Sequence, residues 1–149
     1  MPKDIKIKKI NIILGSDHAG YKLKEGIKKF LIKKGRKTLD IGTYTTQSVD
    51  YPDFAHLLSN KMKNNKNAIG ILVCGSGIGM SMAANRHKNI RAALCYDLNS
   101  TKLSRKHNNA NVMTIGARLT KKNVALKYVN IFMKTNFDGG RHIKRIKKI

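Results

Sequence analysis

The sequence predicts an α/β fold: one domain over residues 1–149, with a parallel sheet of about five strands covered by helices on both faces. Three features of the chain point there. Short apolar runs recur along it, and stretches with apolar residues at helical spacing lie between them. The cleanest run, Ile69 to Val73, passes straight into a glycine-rich turn and then a further helical stretch.

In chain order, Ile10 to Leu14 reads as the first strand. Gly15 follows, then an amphipathic helix with Leu23, Ile27, Phe30 and Leu31 on one face. Gly35 is placed to end that helix as a left-handed cap. Thr38 to Ile41 resumes a short strand, Gly42 to Asp53 reads as a polar loop, and Phe54 to Met62 as the second helix. Ile69 to Val73 is the third strand, with a helix expected from Met80. Ile90 to Leu94 and Val112 to Ile115 supply two more strands. Ser100 to Lys106 is expected to be the helix between them, and Thr120 to Met133 a longer closing helix. Asn136 to Ile149 is too basic for a core and is expected to pack on the surface or reach a neighbouring subunit.

Composition narrows the class. The longest apolar stretch, Ala68 to Cys74, is broken by Gly70 and falls far short of the ~20 residues that cross a bilayer, so no membrane role is expected. Cys74 and Cys95 lie in apolar surroundings and no secretion signal opens the chain, which fits a reduced, cytoplasmic protein. The net charge of +23 is also the footprint of a nucleic-acid binder. The lysines, however, are spread along the whole chain, with small clusters at Lys6 to Lys9, Lys28 to Lys34 and Lys144 to Lys148, and without interleaved aromatics for base stacking. The expected reading is solvated surface charge and no specific nucleic-acid partner.

Open parallel sheets bind ligands at the carboxyl ends of their strands, where Cys74 to Gly79 falls. Glycines at 75, 77 and 79 allow a sharp turn that aims several N–H groups at one point, an anion hole at a helix start. Phosphate, pyrophosphate or the oxyanion of an enediolate would each fit. The spacing lacks the last glycine of the dinucleotide fingerprint GxGxxG, which weighs against a dehydrogenase. Cys74 is either a packing residue or, with its thiolate stabilised by the turn, a base. Cys95 has no such turn after it and reads as core.

Six ordered motifs resemble the ribose-5-phosphate isomerase B family: GSDHAG at 15–20, VDYP at 49–52, CGSGIGMSMAAN at 74–85, SRKHNNANV at 104–112, IGAR at 115–118 and GGRHIKRI at 139–146. The resemblance covers nearly the whole chain. It implies a Rossmann-like three-layer α/β/α fold and an isomerase that interconverts D-ribose 5-phosphate and D-ribulose 5-phosphate through an enediolate. No cofactor and no metal are implied. The family includes galactose- and allose-6-phosphate isomerases, so a hexose phosphate is the alternative substrate. An inactive binding subunit is a reading of a different class.

The resemblance also assigns residues. Cys74 matches the base, Ser76 stands where many members have Thr and would shuttle a proton between substrate oxygens, and the amides of Gly75, Ser76, Gly77, Ile78 and Gly79 would stabilise the oxyanion. Some relatives use a Glu base near the end of this turn, where Met80 stands here. His107 matches the histidine that opens the furanose ring, with Asn108 beside it contacting the sugar; from spacing alone the pair reads as a helix cap. Asp17, His18 and Tyr51 match substrate contacts, and Arg118, Arg141 and Arg145 match phosphate-binding positions. This chain has seven arginines among 31 basic residues, and three of the seven fall at these positions. The planar guanidinium fork suits phosphate oxygens in a way Lys cannot reproduce. Arg141 and Arg145 are four apart, which puts them on one face of a helix. The family's sites are shared between subunits, so a homodimer or tetramer is expected.

Overall fold

The computed structural model describes residues 11–149, so Ile10 and the lysines at 6–9 lie outside the described residues. It contains β1 (Ile12–Ser16), α1 (Tyr21–Lys33), β2 (Thr38–Asp40), α2 (Tyr51–Lys63), β3 (Ile69–Cys74), α3 (Ile78–Ala84), β4 (Ala92–Leu94), α4 (Leu98–Asn108), β5 (Val112–Gly116), α5 (Lys122–Lys134) and α6 (Arg141–Ile146). The five strands form one all-parallel sheet in the order β2-β1-β3-β5-β4, as the apolar runs predict.

Strand side chains alternate between two cores. Ile12, Leu14, Ile71, Val73, Met113 and Ile115 meet Leu23, Ile27 and Leu31 of α1 and Ala125, Val129 and Phe132 of α5. Ile13, Leu72, Cys74 and Val112 face the other way, against Ala55, Leu58 and Met62 of α2 and Met80 and Ala84 of α3. Both faces of the central strands are therefore dry, which is why they read as unbroken apolar runs. Each large aliphatic side chain so buried contributes about 1.5–3 kcal/mol.

Three helices begin earlier than the sequence suggests, whereas α5 begins two residues later, at Lys122 rather than Thr120. α2 starts at Tyr51, not Phe54, because Pro52 sits in the first turn, where no intrahelical N–H is required of it. α3 starts at Ile78, directly on the left-handed Gly77 (φ 78°), so the glycine turn feeds it without a spacer. α4 runs from Leu98 because Asp97 caps it, its Oδ1 accepting from the Ser100 N–H at 2.6 Å. Gly35 does take a left-handed conformation (φ 76°) just past α1. No helix among the described residues is long and apolar enough to cross a membrane.

The chain runs outward from β1 to β2, then returns across β1 to β3. The crevice between the carboxyl ends of β1 and β3 is thus the switch point of the sheet, the usual ligand position in open α/β folds.

Candidate active site

Asp17 follows β1 and Cys74 ends β3, and between them opens a cleft of about 580 Å³. Its walls are Asp17, Tyr51, Cys74, Gly75, Ser76, Ile78, Gly79 and Arg118, all expected from the sequence, together with Met82 and Leu119, which were not. Met82 lies one helical turn beyond Ile78 and is largely exposed, as is Leu119. Their only sequence signal is position: Met82 lies within the motif at 74–85, and Leu119 directly follows the one at 115–118.

Cys74 is buried, and its Sγ accepts a hydrogen bond from the Gly77 N–H at 3.1 Å. The Ile78 N–H is held by Ser76 Oγ at 3.2 Å. Two amides of the turn are therefore directed at side chains of the turn itself. Gly116, paired with Cys74 in the sheet, has to be glycine: a Cβ there would lie 2.5 Å from the Ser76 carbonyl oxygen. The Arg118 N–H donates to the Gly75 carbonyl at 3.0 Å, and its guanidinium packs over Gly75. Arg118 is thereby fixed by the backbone it faces, at the mouth of the cleft.

Asp17 is buried, with its Oδ1 accepting from the Gly20 N–H at 2.9 Å and its own N–H bonded to the Val73 carbonyl at 3.2 Å. These bonds fix its carboxyl group beside β3. His18 points elsewhere. Its Nδ1 accepts from the Val49 N–H at 3.1 Å, pinning the loop that leads into α2. Tyr51, the first residue of α2, lays its ring over Gly79.

A second cluster gathers around α6. His107 and Asn108 fall inside the last turn of α4, not beyond it, and Asn109 supplies the left-handed cap (φ 45°). The His107 ring stacks on His142, centroids 4.4 Å apart and planes 13° from parallel. Desolvation and the charges of His107, Arg141 and Arg145 hold the His142 imidazole below its ordinary pKa. Arg141 and Arg145 both fall on α6, four apart as a shared helical face requires, and both are exposed. The Asp138 N–H donates to the Lys106 carbonyl at 3.0 Å and ties this basic segment to α4. None of His18, His107, Asn108, Arg141 or Arg145 lines the Cys74 cleft.

Cys95 is core, as expected: burial pushes its thiol up to about 11.

Comparison with known proteins agrees with the fold. The family model of ribose/galactose isomerases matches residues 12–149. A ribose 5-phosphate isomerase from Thermotoga maritima superposes with a TM-score of 0.91 at 47% identity, covering 93% of this chain and 96% of that one. Ribose-5-phosphate isomerase B from Mycoplasma genitalium, solved with bound ribulose-5-phosphate, gives 0.89 at 43% identity, covering 93% and 92%. Ribose-5-phosphate isomerase B of Escherichia coli K12 is 36% identical over 138 residues, 93% of each chain. The chain belongs to the ribose/galactose isomerase family.

Proposed function

We propose that this chain interconverts D-ribose 5-phosphate and D-ribulose 5-phosphate, moving a proton between carbons 2 and 1 through an enediolate. The observation that carries this is Cys74, its sulfur held by the Gly77 N–H in a cleft that also holds Asp17 and Arg118.

In the proposed cycle the Cys74 thiolate removes the proton from carbon 2 of the open-chain aldose, and the resulting thiol returns it to carbon 1. Ser76 Oγ passes a proton between the oxygens on carbons 1 and 2. Amides of the 75–79 turn other than those of Gly77 and Ile78, which its own side chains hold, face the oxygen on which negative charge develops, an arrangement typically worth about 3–4 kcal/mol of barrier per donor. His107 opens the furanose ring by giving a proton to the ring oxygen while the carbon 1 hydroxyl loses one. Arg118, Arg141 and Arg145 bind the phosphate.

These roles need two copies of the chain. Cys74 and His107 belong to separate clusters, and Arg118 is the one basic residue lining the cleft among the described residues. In a homodimer, the His107, Asn108, Arg141 and Arg145 cluster of one copy completes the Cys74 cleft of the other. The compartment in this reading is the cytoplasm, where Cys74 stays a free thiol.

Purified protein assayed in parallel on ribose 5-phosphate, allose 6-phosphate and galactose 6-phosphate tests the proposal. Fastest turnover of ribose 5-phosphate is expected. Preference for a hexose phosphate would keep the chemistry and change the substrate, and no turnover of any of them would overturn the reading.

A further inference from the structure

His107, Asp138 and His142 form a set of donors that isomerisation does not use as a set. His107 comes from the last turn of α4, Asp138 from the loop before α6, and His142 from the first turn of α6. The hydrogen bond from the Asp138 N–H to Lys106 and the positive φ angles of Gly139 (67°) and Gly140 (55°) fold the loop back so that α6 begins against α4. One nitrogen of each ring and a carboxylate oxygen lie within 4.8 Å of one another. The two rings are partly buried, and exposed Asp138 leaves the group open to solvent.

We propose that this trio binds one divalent ion of the zinc type, and that the bound ion withholds His107 from ring opening. Two imidazoles and a carboxylate are a donor set that zinc takes in three-ligand sites with a free fourth position. Magnesium and calcium prefer oxygen donors. The nearly parallel stack means the ring lone pairs do not yet converge. Rotation of one ring out of the stack brings the donors to the ~3.3 Å spacing that zinc bonds of about 2.0–2.1 Å require. The ion must also displace Lys106 Nζ, 3.5 Å from Asp138 Oδ2, and it meets the charges of Arg141 and Arg145. These costs make the site one that fills and empties with ion supply. The inhibitory part rests on the ring-opening role proposed for His107, and the binding part does not.

The test is calorimetric titration of the full chain with zinc chloride, beside Asp138→Asn and the double variant Asp138→Asn/His142→Ala, with turnover followed in the same samples. Both substituted positions lie at the surface, and circular dichroism checks that each variant is folded. One zinc per chain is expected to be lost, or weakened at least ~10-fold, in the double variant. Zinc is expected to inhibit the parent reversibly by chelator, while Asp138→Asn keeps its zinc-free turnover and resists the ion. Absence of zinc uptake, or uptake undiminished in the double variant, would overturn the proposal, since the ion would then sit elsewhere, on Cys74 or on the His56–His87 pair (2.7 Å). Zinc bound at the trio without effect on turnover would uphold the site and contradict its inhibitory role.

Discussion

The Tyr51 ring lies so close to Gly79 that a Cβ at position 79 would meet its Cζ at 2.5 Å. The first residue of α2 is thereby packed on the first turn of α3, beside Cys74. Glycine inside an exposed helix costs about 1 kcal/mol relative to alanine, whereas forcing a methyl against a packed ring costs about 1–3 kcal/mol. Sterics should win, so Gly79→Ala is expected to destabilise the parent and lower kcat/KM. In a Tyr51→Ala background the same change should become stabilising. Denaturant midpoints of the four proteins check this, and an unchanged sign in both backgrounds would refute the packing argument.

Lys24 is fully buried, and its Nζ lies 2.7 Å from Asp40 Oδ2 and 3.1 Å from Glu25 Oε1. Asp40 also accepts from Lys28 and from the Gly42 N–H. Burial alone would raise its pKa, but the bonds from Lys24, Lys28 and Gly42 outweigh this and hold it below its ordinary 3.8. The unfolded chain then takes up the proton first as pH falls, so stability is complete above pH ~4 and declines below it until the folded carboxyl titrates. Asp40→Ala leaves Lys24 without its main partner and is expected to cost about 3 kcal/mol at neutral pH. Urea unfolding from pH 7 to pH 3 should show the acid decline in the parent and a smaller one in the variant.

Arg141 and Arg145 make no salt bridge among those seen in the described residues, which leaves the guanidinium groups of α6 available to an anion. A charge-assisted hydrogen bond is worth about 1.5–3 kcal/mol, so Arg141→Ala and Arg145→Ala should each lower kcat/KM about 10- to 150-fold, mainly through KM. Lysine replacements should recover only part of the loss, because an ammonium cannot present the bidentate fork. Steady-state kinetics decides, and full recovery by lysine would reduce the role to bulk charge.

The proposed sharing of sites between two copies gives a mixing test. Cys74→Ala and His107→Ala proteins, each inactive alone, should regain about a quarter of parental activity when unfolded together and refolded in equal amounts. Half of the dimers are then mixed, and each mixed dimer has one intact site. No recovery would mean that both residues act within one chain.

The sheet was readable from the sequence because each central strand is dry on both faces, so Ile69–Cys74 and Val112–Gly116 stand out as apolar runs. The turn at Cys74 was readable because its conformation demands glycine at 77. Helix starts were harder. Pro52 looks like a breaker yet sits comfortably in a first turn, and the Asp97 cap pulls α4 forward to Leu98. Long-range side-chain pairs left no local signal: His18 bonds Val49 across 31 positions, and His142 stacks on His107 only because Gly139 and Gly140 turn the chain back. The separation of Cys74 from His107 is likewise a property of the folded surface, and no spacing in the chain announces it.

The account rests most heavily on Cys74, and the most direct measurement is ribose 5-phosphate turnover by Cys74→Ala beside the parent protein. Removing one buried sulfur should leave the circular dichroism spectrum unchanged. Loss of the base should lower kcat by about 100-fold or more. Turnover near the parental rate in a folded Cys74→Ala protein would contradict the assignment and require another base in the cleft.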